Sequence, residues 1–342
     1  MTLEKQQQGE AVVYELGNDR GISVKVTNYG CTILSIVTPG KNGEKRNIVA
    51  GFDTVAEYIP NPDYLGCIVG RCTSRTSGAA LTIDGQRYFL SANKGKDHLH
   101  GGTKGLDQRY WTVEEELRGI GGVGVVFGYV SPDGEEGYPG NLSITVGYYL
   151  DNENKLTLRY RATTDKTTPV NLTNHSYFNL TGFEEGSVMG HLLKIDAGKY
   201  TPLSEALVPS GAIEDVAGSA LDFRQPMLIG LRAGEVPGES YDHNFVLDNI
   251  TGQMGLAAEL VSPLSGRVLK VFTDQPCLGV YTSGYLDGSR IGTQGKRYQR
   301  NGAICLETQR YPDAVNRPEF PTTLVWPGAA YMATTVFEFG VR

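Results

Sequence analysis

Glu307 ends the apolar run GAICLE and precedes a turn built on Pro312 and Asp313. A carboxylate there is either paired for structure or partly desolvated for use as a base, because losing water raises a carboxyl pKa toward neutrality. His175 lies in VNLTNHSYFNL, where strand alternation would put Asn171, Thr173, His175, Tyr177 and Asn179 on one face and Val170, Leu172, Phe178 and Leu180 on the other. An imidazole among amides, a hydroxyl and a phenol resembles the lining of a polar-ligand site, although the run alone equally fits a packed core histidine. In KDHLHGGTKG, His98 and His100 would share a strand face, with two glycines after them for a sharp turn. His-x-His is also metal-ligand spacing, but the nearest downstream carboxylate is Asp107 and the next histidine is His175, which fits a metal-binding barrel poorly. Asp242 in SYDHNFVL and Arg71 in VGRCTSR are isolated charges bordered by strand-like residues, a setting in which most charges are solvated or locally paired.

The elements that must hold these residues are strands. ISVKVTNYG, LTIDGQRYFL, LSITVGYYL, KLTLRYRATT, RVLKVFTD and MATTVFEFGV alternate with period two and are rich in Val, Thr, Tyr and Ile. Turn formers such as Asp84-Gly85, Pro132-Asp133-Gly134 and Asp287-Gly288 separate them, and the 44 glycines suit hairpins better than helices. Only Thr54 to Ile59 and Glu214 to Ala220 invite a short helix. Strands without intervening helices cannot build a parallel sheet, so the expected fold is all-β, a large antiparallel β-sandwich. With no repeat, low-complexity tract or linker, residues 1–342 are expected to form a single domain.

Composition narrows the possible partners. A net charge of −7, with 31 basic residues scattered among 38 acidic ones, argues against nucleic acid. The N-terminal MTLEKQQQGE has no apolar signal core and no window approaches roughly 18 apolar residues, so no membrane partner and a cytoplasmic location are expected. Five cysteines without a Cys-x-x-Cys pair fit neither a disulfide framework nor a zinc knot, and read as small reduced hydrophobes. Phosphate-loop, dinucleotide, His-Glu-x-x-His and Gly-x-Ser-x-Gly signatures are absent.

In order along the chain, GR at 70 and 71, LHGG from Leu99, NLTNHSYFNL from Asn171, YDHNFVL from Tyr241 and LETQRYPDAVN from Leu306 closely resemble the aldose 1-epimerases, or galactose mutarotases. WTVEEE, DGEEGYPGNL, LDFR and VYTSGYL extend the resemblance over nearly the whole chain. The resemblance implies a β-sandwich with a sugar in an open cleft and neither cofactor nor metal. It also implies His175 as the general acid at the ring oxygen and Glu307 as the base at the C1 hydroxyl, with Arg71, His100 and Asp242 binding the sugar. Asn174 and Tyr177 of the histidine motif are expected to join the binding shell.

Two departures bear on substrate. GRCTSR puts Ser74 where the family usually has an asparagine, and PCLGVYT puts Gly279 where it usually has a glutamine. Both remove amides from the expected pocket, so weak affinity for plain galactose is expected, improving on restoring Asn at 74 or Gln at 279. The expected substrate is a free hexose such as galactose or glucose, with another sugar or a non-sugar hemiacetal as the alternative, and a non-catalytic carbohydrate-binding protein as the reading from a different class. The sequence leaves monomer and homodimer equally open.

Overall fold

The structure, a computed structural model, describes residues 1–119, 121–204, 207–249 and 252–342. The segments with period-two alternation become strands: Ser23–Thr27, Leu142–Leu150, Lys155–Thr164, Arg267–Thr273 and Ala330–Val341. Ala80–Ile83 and Gln86–Phe89 form a hairpin. Its two-residue turn places Asp84 at φ +50° and Gly85 at φ +79°, the left-handed pair that a twist-matched hairpin turn needs.

Among the described residues every strand pair runs antiparallel, and an isolated bridge between Cys72 and Asn171 is parallel. A nine-stranded sheet runs, in spatial order, Thr112–Gly119, Gly122–Ser131, Leu142–Leu150, Lys155–Thr164, Ala330–Val341, Arg267–Thr273, Gly255–Val261, Leu192–Ile195 and Met227–Leu228. A five-stranded meander, Thr2–Gln8 through Lys45–Asn47, shares a core with the nine-stranded sheet, the Tyr14 ring meeting Phe127 edge to face at 6.1 Å. The sheet that matters for the site has six strands: β1 (Tyr177–Phe178), β2 (Lys199–Thr201), β3 (Glu214–Asp215), β4 (Asp242–Val246), β5 (Cys277–Tyr281) and β6 (Ile304–Gln309), in spatial order β1-β6-β5-β4-β2-β3. Phe178, Phe245, Leu278, Val280, Ile304 and Leu306 of this sheet enter the same core as Leu158, Val271 and Phe337 of the nine-stranded sheet. The rings of Phe178 and Phe337 meet edge to face across the gap at 5.2 Å. Because side chains alternate, burying that face turns Glu307, Gln309, Gly279 and Asp242 toward the opposite one.

Two expectations change, and one strand was not foreseen. Thr54 to Ile59 contains one short 3₁₀ turn, Val55–Tyr58, whose entry is tied by Thr54 N–H donating to Glu57 Oε2 at 2.8 Å. Glu214 to Ala220 is not helical: Glu214–Asp215 is β3, paired with Lys199 and Tyr200 of β2. The strand Thr2–Gln8 escapes the alternation test because it is an edge strand whose side chains are mostly in water. The five cysteines are buried and free, as their spacing led one to expect. No helix among the described residues is long and apolar enough to cross a membrane.

Candidate active site

The outward face of the six-stranded sheet floors an open cleft of about 190 Å³. Strand register decides what it presents. Asn244, Gly279 and Glu307 stand side by side across β4, β5 and β6, and Asp242, Tyr281, Cys305 and Tyr177 form the next row of the same face. Glu307 therefore sits on an interior strand whose six residues are all buried, with its carboxylate turned into the cleft.

His175 arrives from outside the sheet. The run around it is broken into two-residue pieces, Thr173–Asn174 pairing with Ile68–Val69, and β1 pairing with β6. Between them His175 is pinned by its own backbone: its N–H donates to Cys67 O at 2.9 Å and its C=O accepts from Gly66 N–H at 3.0 Å. Its ring lies against Tyr177, centroids 5.0 Å apart and planes 24° apart, and against Tyr64 at 6.1 Å and 25°. Nδ1 faces Cys305 Sγ at 3.5 Å, which leaves Nε2 pointing to Glu307 Oε1 at 3.7 Å. Acid and base candidates thus meet within the cleft, with only 5% and 8% of their side-chain surfaces exposed.

Burial sets their charges. Loss of water pushes Glu307 up to about 8, with the Asp242 charge adding to the rise, while the same loss pulls His175 down to about 4. Between those values the pair holds one proton, and it rests on Glu307. His100 is held well below the usual histidine range by burial, then by His175 and the Arg75 charge. Asp242 stands at the solvent lip, yet crowding by the cleft walls raises it, and Arg75 and Lys94 pull the other way.

His98 and His100 do not share a face. His98 is buried, with Nδ1–H donating to Ser91 O and Nε2 accepting from Tyr138 O–H, both at 2.7 Å. His100 leaves the strand at φ +51° and turns into the cleft. Ser74, at φ +60°, donates its N–H to His100 Nδ1 at 3.2 Å. That contact puts the His100 proton on Nε2, facing the cleft as a donor. The ligating atoms of His100, His175 and Glu307 lie within 4.8 Å of one another, a span a cation could draw together, but a protonated Nε2 is a hydrogen-bond donor and not a metal ligand.

Ser74, His100, His175, Tyr177, Asp242, Gly279 and Glu307 all line the cleft. Two expected residues do not. Arg71 is 2% exposed and its guanidinium is used up inside the fold, donating to Ser131 Oγ and to the carbonyls of Ser131, Pro132 and Pro139 at 2.9–3.0 Å. The arginine in the cleft is Arg75, four residues on. Asn174 is spent on Gly66 O and on the N–H of Ser176, fixing the bend that presents His175. Asn171 and Asn179, expected on the histidine's face, likewise brace backbone: Asn171 clasps Arg310, and Asn179 holds Glu185 O and Gly302 O. Sequence reasoning also passed over Asn244, Tyr281 and Gln309, each two residues from a position it had marked on the same strand, so period-two extension from those marks would have found them.

An antiparallel sandwich with a carboxylate and an imidazole converging in an open polar cleft defines a galactose mutarotase-like protein. The family model for aldose 1-epimerase matches residues 12–338, and the chain belongs to that family. It is 41% identical over 333 residues to the galactose mutarotase of Bos taurus, covering 97% of this chain and 95% of that one. It is 34% identical over 331 residues to the aldose 1-epimerase of Escherichia coli, at 95% and 94% coverage. Among solved structures, an aldose epimerase homologue from C. elegans superposes with a TM-score of 0.88 at 30% identity, covering 96% and 98%. The galactose 1-epimerase of Lactobacillus acidophilus gives 0.86 at 28% identity, covering 99% and 98%.

Proposed function

We propose that this protein is a cofactor-free aldose 1-epimerase that interconverts the α and β anomers of a free hexose such as galactose or glucose. The observation that carries this is the convergence of Glu307 and His175 at 3.7 Å in the cleft, one group raised and the other lowered so that a single proton is shared over the neutral range. Ring opening needs that arrangement. Glu307 takes the proton of the C1 hydroxyl, the C1–O5 bond breaks with its electrons going to the ring oxygen, and His175 Nε2–H protonates that oxygen. Rotation about C1–C2 turns the other face of the aldehyde to the O5 hydroxyl. On reclosure Glu307 returns its proton to O1 and His175 recovers one from O5.

With the proton on Glu307 and His175 neutral, the pair is already in the state that binds the open-chain aldehyde and recloses it. Opening the ring requires the same proton on His175, and a sugar bridging the two groups supplies the path. His100, Arg75 and Asp242 ring the cleft with donors and an acceptor for hydroxyls. We place this activity in one domain spanning the chain, in the cytoplasm, where five buried free thiols persist, acting as a monomer or homodimer on a small sugar and without a metal.

Anomer exchange followed by NMR or polarimetry on galactose and glucose tests the reading. Turnover is expected in the wild type and a loss of at least roughly 10² in kcat for Glu307→Gln and His175→Asn with the fold retained. Near wild-type exchange in either variant refutes the assignment.

A further inference from the structure

Position 279 is a glycine at the centre of the cleft floor, flanked by Asn244 on one side and Glu307 on the other. The sequence alone reads this as an amide missing from the pocket. The structure shows the space taken by an amide from the next strand. Gln309 lies two residues after Glu307 on the same face of β6, and its carboxamide reaches across Gly279 to donate from Nε2 to Asn244 Oδ1 at 2.9 Å. A Cβ at 279 would stand 2.9 Å from that same nitrogen and 3.4 Å from Glu307 Cβ, so a side chain there would push the carboxamide aside, and glycine leaves its crossing undisturbed.

The crossing also orients the amide. Asn244 donates from Nδ2 to Thr201 Oγ1 at 3.1 Å, while the Thr201 hydroxyl proton is directed to the Asn244 backbone carbonyl at 3.5 Å. That leaves Asn244 Oδ1 for Gln309 Nε2 and turns Gln309 Oε1 the other way. Gln309 is 3% exposed, and Oε1 has no hydrogen-bond partner among the described residues. A buried acceptor left unpaired is costly, and this one belongs to a cleft-lining side chain next to the proposed base.

We propose that Gln309 is a substrate-specificity residue, its carboxamide oxygen accepting a hydrogen bond from one sugar hydroxyl and so replacing an amide on position 279. This rests on the epimerase reading for the identity of the ligand class. Side chains two apart on a strand are roughly 7 Å apart, so with C1 held at Glu307 the hydroxyl that reaches Gln309 lies further round the ring. A site built to pair a hydroxyl discriminates strongly against the analogue lacking it.

The test uses monodeoxy and deoxyfluoro hexoses, in which one hydroxyl at a time loses its donor. Dissociation constants are measured by calorimetry for the wild type and for Gln309→Met, which keeps the volume and removes the acceptor, with thermal melts to verify folding. One ring position away from C1 is expected at which both the deoxy and the fluoro sugar bind the wild type roughly tenfold or more weaker than the parent, a penalty that shrinks to within about twofold in Gln309→Met. Equal penalties in both proteins at every position overturn the proposal. So does a fluoro sugar that binds as well as the parent at the very position where the deoxy sugar is penalised, since fluorine pairs with a donor and not with an acceptor. Anomer exchange of the parent hexose is recorded on the same wild-type sample: its absence would sink the epimerase reading, while the binding pattern would still decide the role of Gln309.

Discussion

The Tyr177 ring lies against the His175 imidazole, centroids 5.0 Å apart and planes 24° apart, while its hydroxyl donates to Asp63 O at 2.8 Å. Tyr177 was expected to bind substrate, and it lines the cleft; its phenol is tethered to the backbone and its face packs on the histidine. Such ring pairs contribute about 0.5–1.5 kcal/mol. Tyr177→Leu should therefore lower kcat by roughly tenfold at most with KM little changed, and Tyr177→Phe should keep kcat near wild type. A change in KM without a change in kcat for Tyr177→Leu would show that the ring contacts sugar instead.

The pH profile follows from the shared proton. Below about 4 His175 gains a second proton for the pair, and above about 8 Glu307 loses the only one. Plotted for the free enzyme, kcat/KM should form a plateau between those limits and fall on both sides. Glu307→Gln should abolish the alkaline limb in whatever activity remains. A profile that keeps rising from pH 8 to 10 would contradict the proton count.

The two arginines of GRCTSR separate stability from binding. Arg71→Met strips four hydrogen bonds, three of them buried, and leaves three carbonyls without donors, which should cost on the order of 3 kcal/mol of stability. Arg75→Met should leave the melting temperature close to wild type and raise KM by roughly tenfold or more, since its guanidinium faces the cleft. The opposite pattern in melts and kinetics would return Arg71 to the binding role.

Restoring amides should no longer be symmetric. Ser74 sits at φ +60°, a conformation asparagine adopts more readily than serine, so Ser74→Asn adds a cleft amide without straining the backbone and should lower KM for hexoses by a few-fold. Gly279→Gln has to displace Gln309 first, because its Cβ would stand 2.9 Å from Gln309 Nε2. That single substitution should raise KM, and Gly279→Gln with Gln309→Ala should recover part of the loss. A lower KM for Gly279→Gln alone would show that the amide crossing does not matter for binding.

Much of the molecule was legible in the chain. Period-two alternation located the strands because the pleat itself has period two, and the shortage of helical segments left only an antiparallel sandwich. Glu307 stood out as a carboxylate closing an apolar strand, and the ordered motifs marked His175, His100 and Asp242 as its companions. What the sequence could not carry was direction. Arg71 and Arg75 are the same residue type four positions apart, and only packing decides that one feeds Ser131 and the Pro132 and Pro139 carbonyls while the other faces the cleft. The alternation that put Asn171, His175 and Asn179 on one polar face fails because the strand breaks after two residues, so the amides turn back to brace loops. Gly279 reads as a loss in one dimension. Across three strands it is the opening through which Gln309 reaches Asn244, since register between distant segments is fixed by burying Leu278, Val280 and Leu306 on the far face, and no local pattern encodes it.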